Sequence, residues 1–138
     1  MGTSSAVIDR VGLFDEDPRL RTAEDCDWSY RALRAGVPIV YAPEVCLRHY
    51  GWRDPDQRTS QYQAYARSHG GFYGKYLGRG DWFIALRAAV HFARALRRWL
   101  RGILTGDREE ISRGRAYLTG LPVGILAGLR RKRDQCSS

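Results

Sequence analysis

The longest periodic pattern of apolar residues in the chain runs from Trp82 to Leu104. Wrapped at 100° per residue, Trp82, Phe83, Leu86, Ala89, Val90, Ala93, Leu96, Leu100, Ile103 and Leu104 share one face of a helix. Arg87, Arg94, Arg98 and Arg101 form an adjoining stripe. Shorter patterns flank it. Ser5 caps a helix over Ala6 to Val11 that Gly12 ends, and Pro18 blocks helical continuation after Asp15-Glu16-Asp17. A second helix starts near Thr22, where Thr22-x-x-Asp25 has capping-box spacing, and stops at Gly36. Val37 to Tyr41 and Val45 to Tyr50 read as short strands either side of Pro43. Gln57 to Arg67 reads as helix, and Gly70, Gly71, Gly74, Gly78 and Gly80 are expected to weaken any regular element after it. Arg108 to Leu118 reads as a last short helix. The pattern predicts an α/β unit over residues 1–52, a Gly/Tyr-rich connecting segment over 53–81 and a basic amphipathic helical tail over 82–138.

Charge sharpens this division. Residues 1–69 hold 9 Arg against 10 Asp and Glu, a net of −1, whereas residues 70–138 hold 14 Lys and Arg against 5 acids, a net of +9. Three cysteines at wide spacing, Cys26, Cys46 and Cys136, do not make a disulfide framework. No signal peptide is visible. The longest uncharged run, Ala116 to Leu129, is interrupted by Gly120, Pro122, Gly124 and Gly128 and falls short of the roughly 20 apolar residues of a membrane span. A cytoplasmic protein, peripheral at most on the inner face of the cell membrane, is expected.

Four segments in order carry a family resemblance: Val11-Gly12-Leu13-Phe14-Asp15-Glu16, Glu24-Asp25-Cys26-Asp27-Trp28 through Gly36, Ile39 to Pro43, and Arg48-His49-Tyr50. Together they resemble the C-terminal part of the catalytic domain of family 2 glycosyltransferases, inverting enzymes of the GT-A fold. The resemblance implies an α/β fold and sugar transfer from a nucleotide-sugar donor to a saccharide or lipid-linked acceptor. It makes Asp25 the general base that takes the acceptor hydroxyl proton, with Glu24 shaping the acceptor side. It puts Trp28 and Arg31 beside substrate, and His49 at a divalent metal, Mg or Mn, that stabilises the leaving diphosphate. The N-terminal donor-binding half of such a domain has no counterpart here. The Asp-x-Asp spacings at Asp15/Asp17, Asp25/Asp27 and Asp54/Asp56 do not follow an apolar strand. The resemblance therefore implies a fragment that is inactive alone.

Read from the residues alone, the same positions have plainer roles. Glu24 and Asp25 are acids at a helix start, Asp27 pairs with Arg31 at i+4, and Phe14 and Trp28 belong to the core. Cys46 and His49 lack a second ligand pair for zinc. Two non-catalytic readings remain for the basic half. A nucleic-acid module would use the cations with Trp82 and Trp99, but the acidic first half and the lack of a nucleic-acid motif make it the weaker one. A membrane-surface helix would set Trp82, Arg94, Arg98 and Arg101 against anionic lipid. Its alternative is a helix packed on the catalytic domain, with a solvated arginine face.

Overall fold

A computed structural model of the chain describes residues 2–46, 48 and 55–135. Five helices follow in order: α1 (Ser5–Val11), α2 (Glu24–Arg34), α3 (Pro55–Leu77), α4 (Trp82–Thr105) and α5 (Arg108–Gln135). A single 3₁₀ turn, Pro18–Leu20, lies between α1 and α2, and the Asp17 carboxylate caps it by accepting the Arg19 backbone N–H at 2.9 Å. No strand occurs among the described residues.

The α/β expectation is therefore overturned. Residues 37–46 leave α2 without forming any ladder, and Ile39, Val40, Tyr41 and Val45 are all more than half exposed. Their β-branched and aromatic content suits a pleated surface, but a strand forms only against a partner, and every other described element is helical. The second expected strand, Val45 to Tyr50, falls partly outside the described residues. Without a sheet layer the resemblance to a GT-A glycosyltransferase domain is not upheld.

The boundaries of α1, α2 and α4 lie close to the sequence signals. Gly12, Gly36 and Gly106 stop them at φ 82°, 74° and 71°, backbone values that suit glycine. Asp81 caps α4 by accepting the Ile84 N–H at 3.3 Å. The capping box at α2 does not form: the Thr22 hydroxyl instead donates to the Ala64 carbonyl at 3.5 Å, and Ala23 occupies the cap position.

Glycine misled the reading of α3 and α5. Both helices run straight through their glycines, because those residues are where the two backbones meet. A methyl group at Gly120 would lie 2.6 Å from the Ala66 Cβ, and at Gly128 2.5 Å from the Gly71 carbonyl oxygen; Gly70, Gly74 and Gly124 are equally tight against the opposite backbone. The helix–helix contact outweighs the intrinsic cost of glycine, about 1 kcal/mol each relative to alanine. Pro122 is likewise accommodated inside α5 on an exposed face.

Around this crossing lies the core: Leu20 and Ala23 before α2, Ala66, Phe72, Tyr73 and Tyr76 of α3, Ile84 and Ala95 of α4, and Tyr117 and Leu121 of α5. α4 contributes little to it. Ile84, Ala95 and Gly102 are its buried residues, all on one narrow side of the helix.

Candidate functional site

Glu24, Asp25 and Asp27 are the acids of the first turn of α2. Glu24 and Asp25 are exposed, and Asp25 accepts the Cys26 backbone N–H at 2.8 Å, as an acid at a helix start does. Asp27, two residues on, is completely buried. It accepts Arg31 Nε at 2.9 Å, Lys75 Nζ at 2.5 Å and the Tyr76 hydroxyl at 2.8 Å, and Lys75 also reaches Asp15 at 2.9 Å. Arg31 in turn donates to the carbonyls of Val11 and Leu13, and Trp28, buried, donates its indole N–H to the Gly12 carbonyl at 2.8 Å. Asp27, Trp28 and Arg31 thus tie α2 to the α1 exit and to α3. Burial, with the neighbouring Asp27 charge, holds the Tyr76 hydroxyl well above the usual phenol range. His49 lies outside the described residues. No group of three or more His, Cys, Asp or Glu side chains converges among the described residues in a way that would hold a metal.

Many of the exposed large apolar side chains lie on α4. Trp82 is 75% exposed and Leu104 86%, and Leu86, Leu96, Leu100 and Ile103 are between 40% and 54%. With Ala89 and Ala93, also exposed, they make a continuous apolar stripe turned away from the protein. The buried side of α4 carries mostly small residues, so the helix sits on the molecule by its narrow face and presents its wide one. Phe83 and Val90 turn the other way, towards the groove described next.

Beside the stripe a groove of about 790 Å³ opens between α4, α2 and α3. Its rim carries Arg87, Arg94, Arg97, Arg98 and Arg101, against a single carboxylate, Glu110. Arg98 Nε pairs with that carboxylate at 3.2 Å; the other four arginines have no carboxylate partner among the described residues. Arg97 was missed in the sequence because it falls between the apolar stripe and the arginine stripe on the helical wheel. The floor is aromatic, with Tyr30, Phe72, Tyr73 and Phe83.

Two histidines line the same groove, 22 positions apart and so without a spacing that could reveal them. His91 is held neutral: burial, then His69 and the nearby Arg94, lower its pKa to about 4. Burial also raises the pKa of Tyr73, whose hydroxyl shares a hydrogen bond with His91 Nδ1 across 2.9 Å. His69 takes the Tyr65 carbonyl at Nδ1, 2.8 Å away, and its Nε2 lies 4.0 Å from Cys26 Sγ. Burial and then Asp25 raise the Cys26 thiol to about 11, which leaves it protonated at neutral pH and a poor nucleophile. With five arginines and one carboxylate in its lining, the groove is strongly cationic.

Compared with protein-family models, with curated proteins and with solved structures, the chain matches none. The family resemblance read from the sequence therefore has no support from either the fold or the comparisons. No helix among the described residues is long and apolar enough to cross a membrane.

Proposed function

We propose that this chain is a helical module that docks on an anionic lipid surface through the outward face of α4. Sugar transfer from a nucleotide donor rested on the family resemblance alone, and the non-catalytic reading is the one taken here. The observation that carries it is the exposure of the wide apolar stripe from Trp82 to Leu104 beside four arginines without a carboxylate partner among the described residues. An interfacial helix needs this combination: apolar side chains to enter the headgroup boundary and cations to meet negative lipid. Charge complementarity selects the occupant. A second copy apposed on the stripe would bring like-charged arginine flanks to one interface, and a nucleic-acid backbone would leave Trp82, Leu100 and Leu104 against charged phosphates. An anionic bilayer matches both halves of the face.

The test is co-sedimentation with vesicles of phosphatidylcholine containing about one third phosphatidylglycerol, with Trp82 emission recorded in parallel. Binding to these vesicles, with a blue shift that is lost in Trp82→Ser, is the expected result. Equal affinity for pure phosphatidylcholine, a concentration-dependent dimer in place of lipid binding, or tighter binding to duplex DNA than to vesicles would each overturn the proposal.

A further inference from the structure

We infer that the arginine-rimmed groove between α2, α3 and α4 is a binding site for the terminal phosphate of an amphiphile, a phosphomonoester or diphosphate end that carries no amine. The lipid as its source rests on the surface-docking reading above; the phosphate chemistry does not. Guanidinium groups present paired N–H donors that match phosphate oxygens, and a phosphate ester end offers several such oxygens at high charge. Arg87, Arg94 and Arg101 stand seven residues apart, so their Cα atoms span about 21 Å along one side of α4, and Arg97 rises between them. Arg98 is already committed to Glu110, and that ion pair uses up the sole carboxylate of the lining. Among the described residues no other carboxylate lines the groove to pair with an ammonium group. Choline and ethanolamine headgroups, which pair each phosphate with a cation, are therefore disfavoured beside the four arginines that have no carboxylate partner among the described residues.

The floor adds the second half of the specificity. Phe72, Tyr73 and Phe83 line the groove below the arginines. Tyr73 spends its hydroxyl on His91, so what the ring offers the groove is largely apolar. A free phosphate ion would leave this floor unused, whereas the glycerol and first acyl carbons of a lipid would cover it. The mouth of the groove and the outward apolar stripe lie on the same helix, roughly 100° apart around its axis. A lipid whose chains stay in the bilayer beneath Trp82 and Leu100 can thus present its phosphate to Arg94 and Arg101 at headgroup level.

The far wall allows a test that leaves the α4 stripe untouched. Leu33 of α2 lines the groove, is 54% exposed and belongs to no part of the membrane-facing stripe. In Leu33→Glu the new carboxylate takes the guanidiniums in place of ligand. Calorimetry with monomeric dihexanoyl phosphatidic acid should give saturable one-to-one binding to the whole chain. Leu33→Glu and Arg94→Gln should each weaken it by about tenfold or more, the loss expected for a charge-assisted hydrogen bond. On vesicles of matched surface charge, the native chain should favour phosphatidic acid over phosphatidylglycerol, and Leu33→Glu should bind both alike. No binding of the soluble lipid, or equal affinity for the two charged vesicles, overturns the groove site and leaves surface docking intact. Binding of the soluble lipid with no vesicle binding does the reverse. Pyrophosphate bound as tightly as dihexanoyl phosphatidic acid would overturn the lipid as source. Circular dichroism on Leu33→Glu checks that it is folded; if it is not, Arg94→Gln on solvent-exposed α4 decides the outcome alone.

Discussion

The carboxylate that matters most to this molecule is Asp27 and not its neighbour Asp25. Asp27 has no exposure and meets three donors, two of them cations, so neutralising it strands buried charge on Lys75 and Arg31. Asp27→Asn should lower unfolding stability by about 3–5 kcal/mol, somewhat less where Asp15 retains Lys75. Asp25→Asn should cost only about 0.3–1 kcal/mol through the helix dipole, as urea unfolding of the two variants will measure. The i, i+4 pairing of Asp27 with Arg31 was legible in the sequence. The Lys75 contact was not, because 48 residues separate it from Asp27 and only the α2–α3 packing joins them. His91 supplies a pH dependence of definite sign. Its folded pKa of about 4 lies below the ordinary 6.5, so between these values the unfolded chain binds more protons. Stability is therefore full above about 6.5 and falls as the pH drops towards 4. The groups facing the ring, His69 and Tyr73 of α3, Tyr117 of α5 and Arg87, Arg94 and Arg98 of its own helix, include no carboxylate that would reverse the sign. The loss should be on the order of 1 kcal/mol, discounted because the ring is only half buried. Melting curves of His91→Gln should be flatter than native across that window; an unchanged slope would remove His91 as the cause.

At the scale of elements, the α3–α5 crossing is where sequence reasoning and structure part most instructively. The stops of α1, α2 and α4 at Gly12, Gly36 and Gly106 are local chemistry and could be read from a few adjacent residues, whereas the caps expected at Ser5 and Thr22 do not form. The continuation of α3 and α5 through seven glycines could not, since glycine lowers helix propensity locally and repays it only when a second helix comes close. The spacing Gly120, Gly124, Gly128, four residues apart, was the available signal: it lines one helix face with glycine, which suits a close helix contact better than a loop. The apolar run at 37–41 failed in the opposite direction, with good strand residues and no neighbouring strand to pair. Gly124→Ala pushes a methyl group into the Arg67 carbonyl and against the Gly70 backbone, and it should destabilise the protein by about 1–3 kcal/mol despite improving local helix propensity. Gly78→Ala, whose added carbon would find only ordinary contacts at 3.4 Å and beyond, should leave the melting temperature nearly unchanged. If both substitutions behaved alike, close backbone approach would not be what holds α3 to α5.

For the whole molecule, the separation of charge along the chain falls on different helices. The net −1 half supplies α1, α2 and the first part of α3, whereas the +9 half supplies α4 and α5. The amphipathic character of α4 was legible from its period alone, but which face turned outward was not. Period gives two faces, and only the rest of the fold decides which is covered. Which arginines of α4 stand without a carboxylate also changes once the ion pairs are known. Arg98, prominent in the pattern, is neutralised by Glu110, and Arg97 takes its place. Replacing Arg94, Arg97 and Arg101 with Gln removes three cations worth about 1 kcal/mol each near an anionic bilayer. Vesicle affinity should therefore fall about 100-fold at low salt, and far less near 1 M salt, where the Debye length shrinks to about 3 Å. Trp82→Ser with Leu86→Ser removes apolar burial, at roughly 25 cal/mol per Å², and should weaken binding at both salt concentrations. Arg98→Gln should do neither, and its effect should show instead as a small loss of stability through Glu110. A triple arginine variant that bound anionic vesicles as well as the native chain at low salt would make the exposed stripe of α4 an ordinary solvated face, whatever the tryptophan reported.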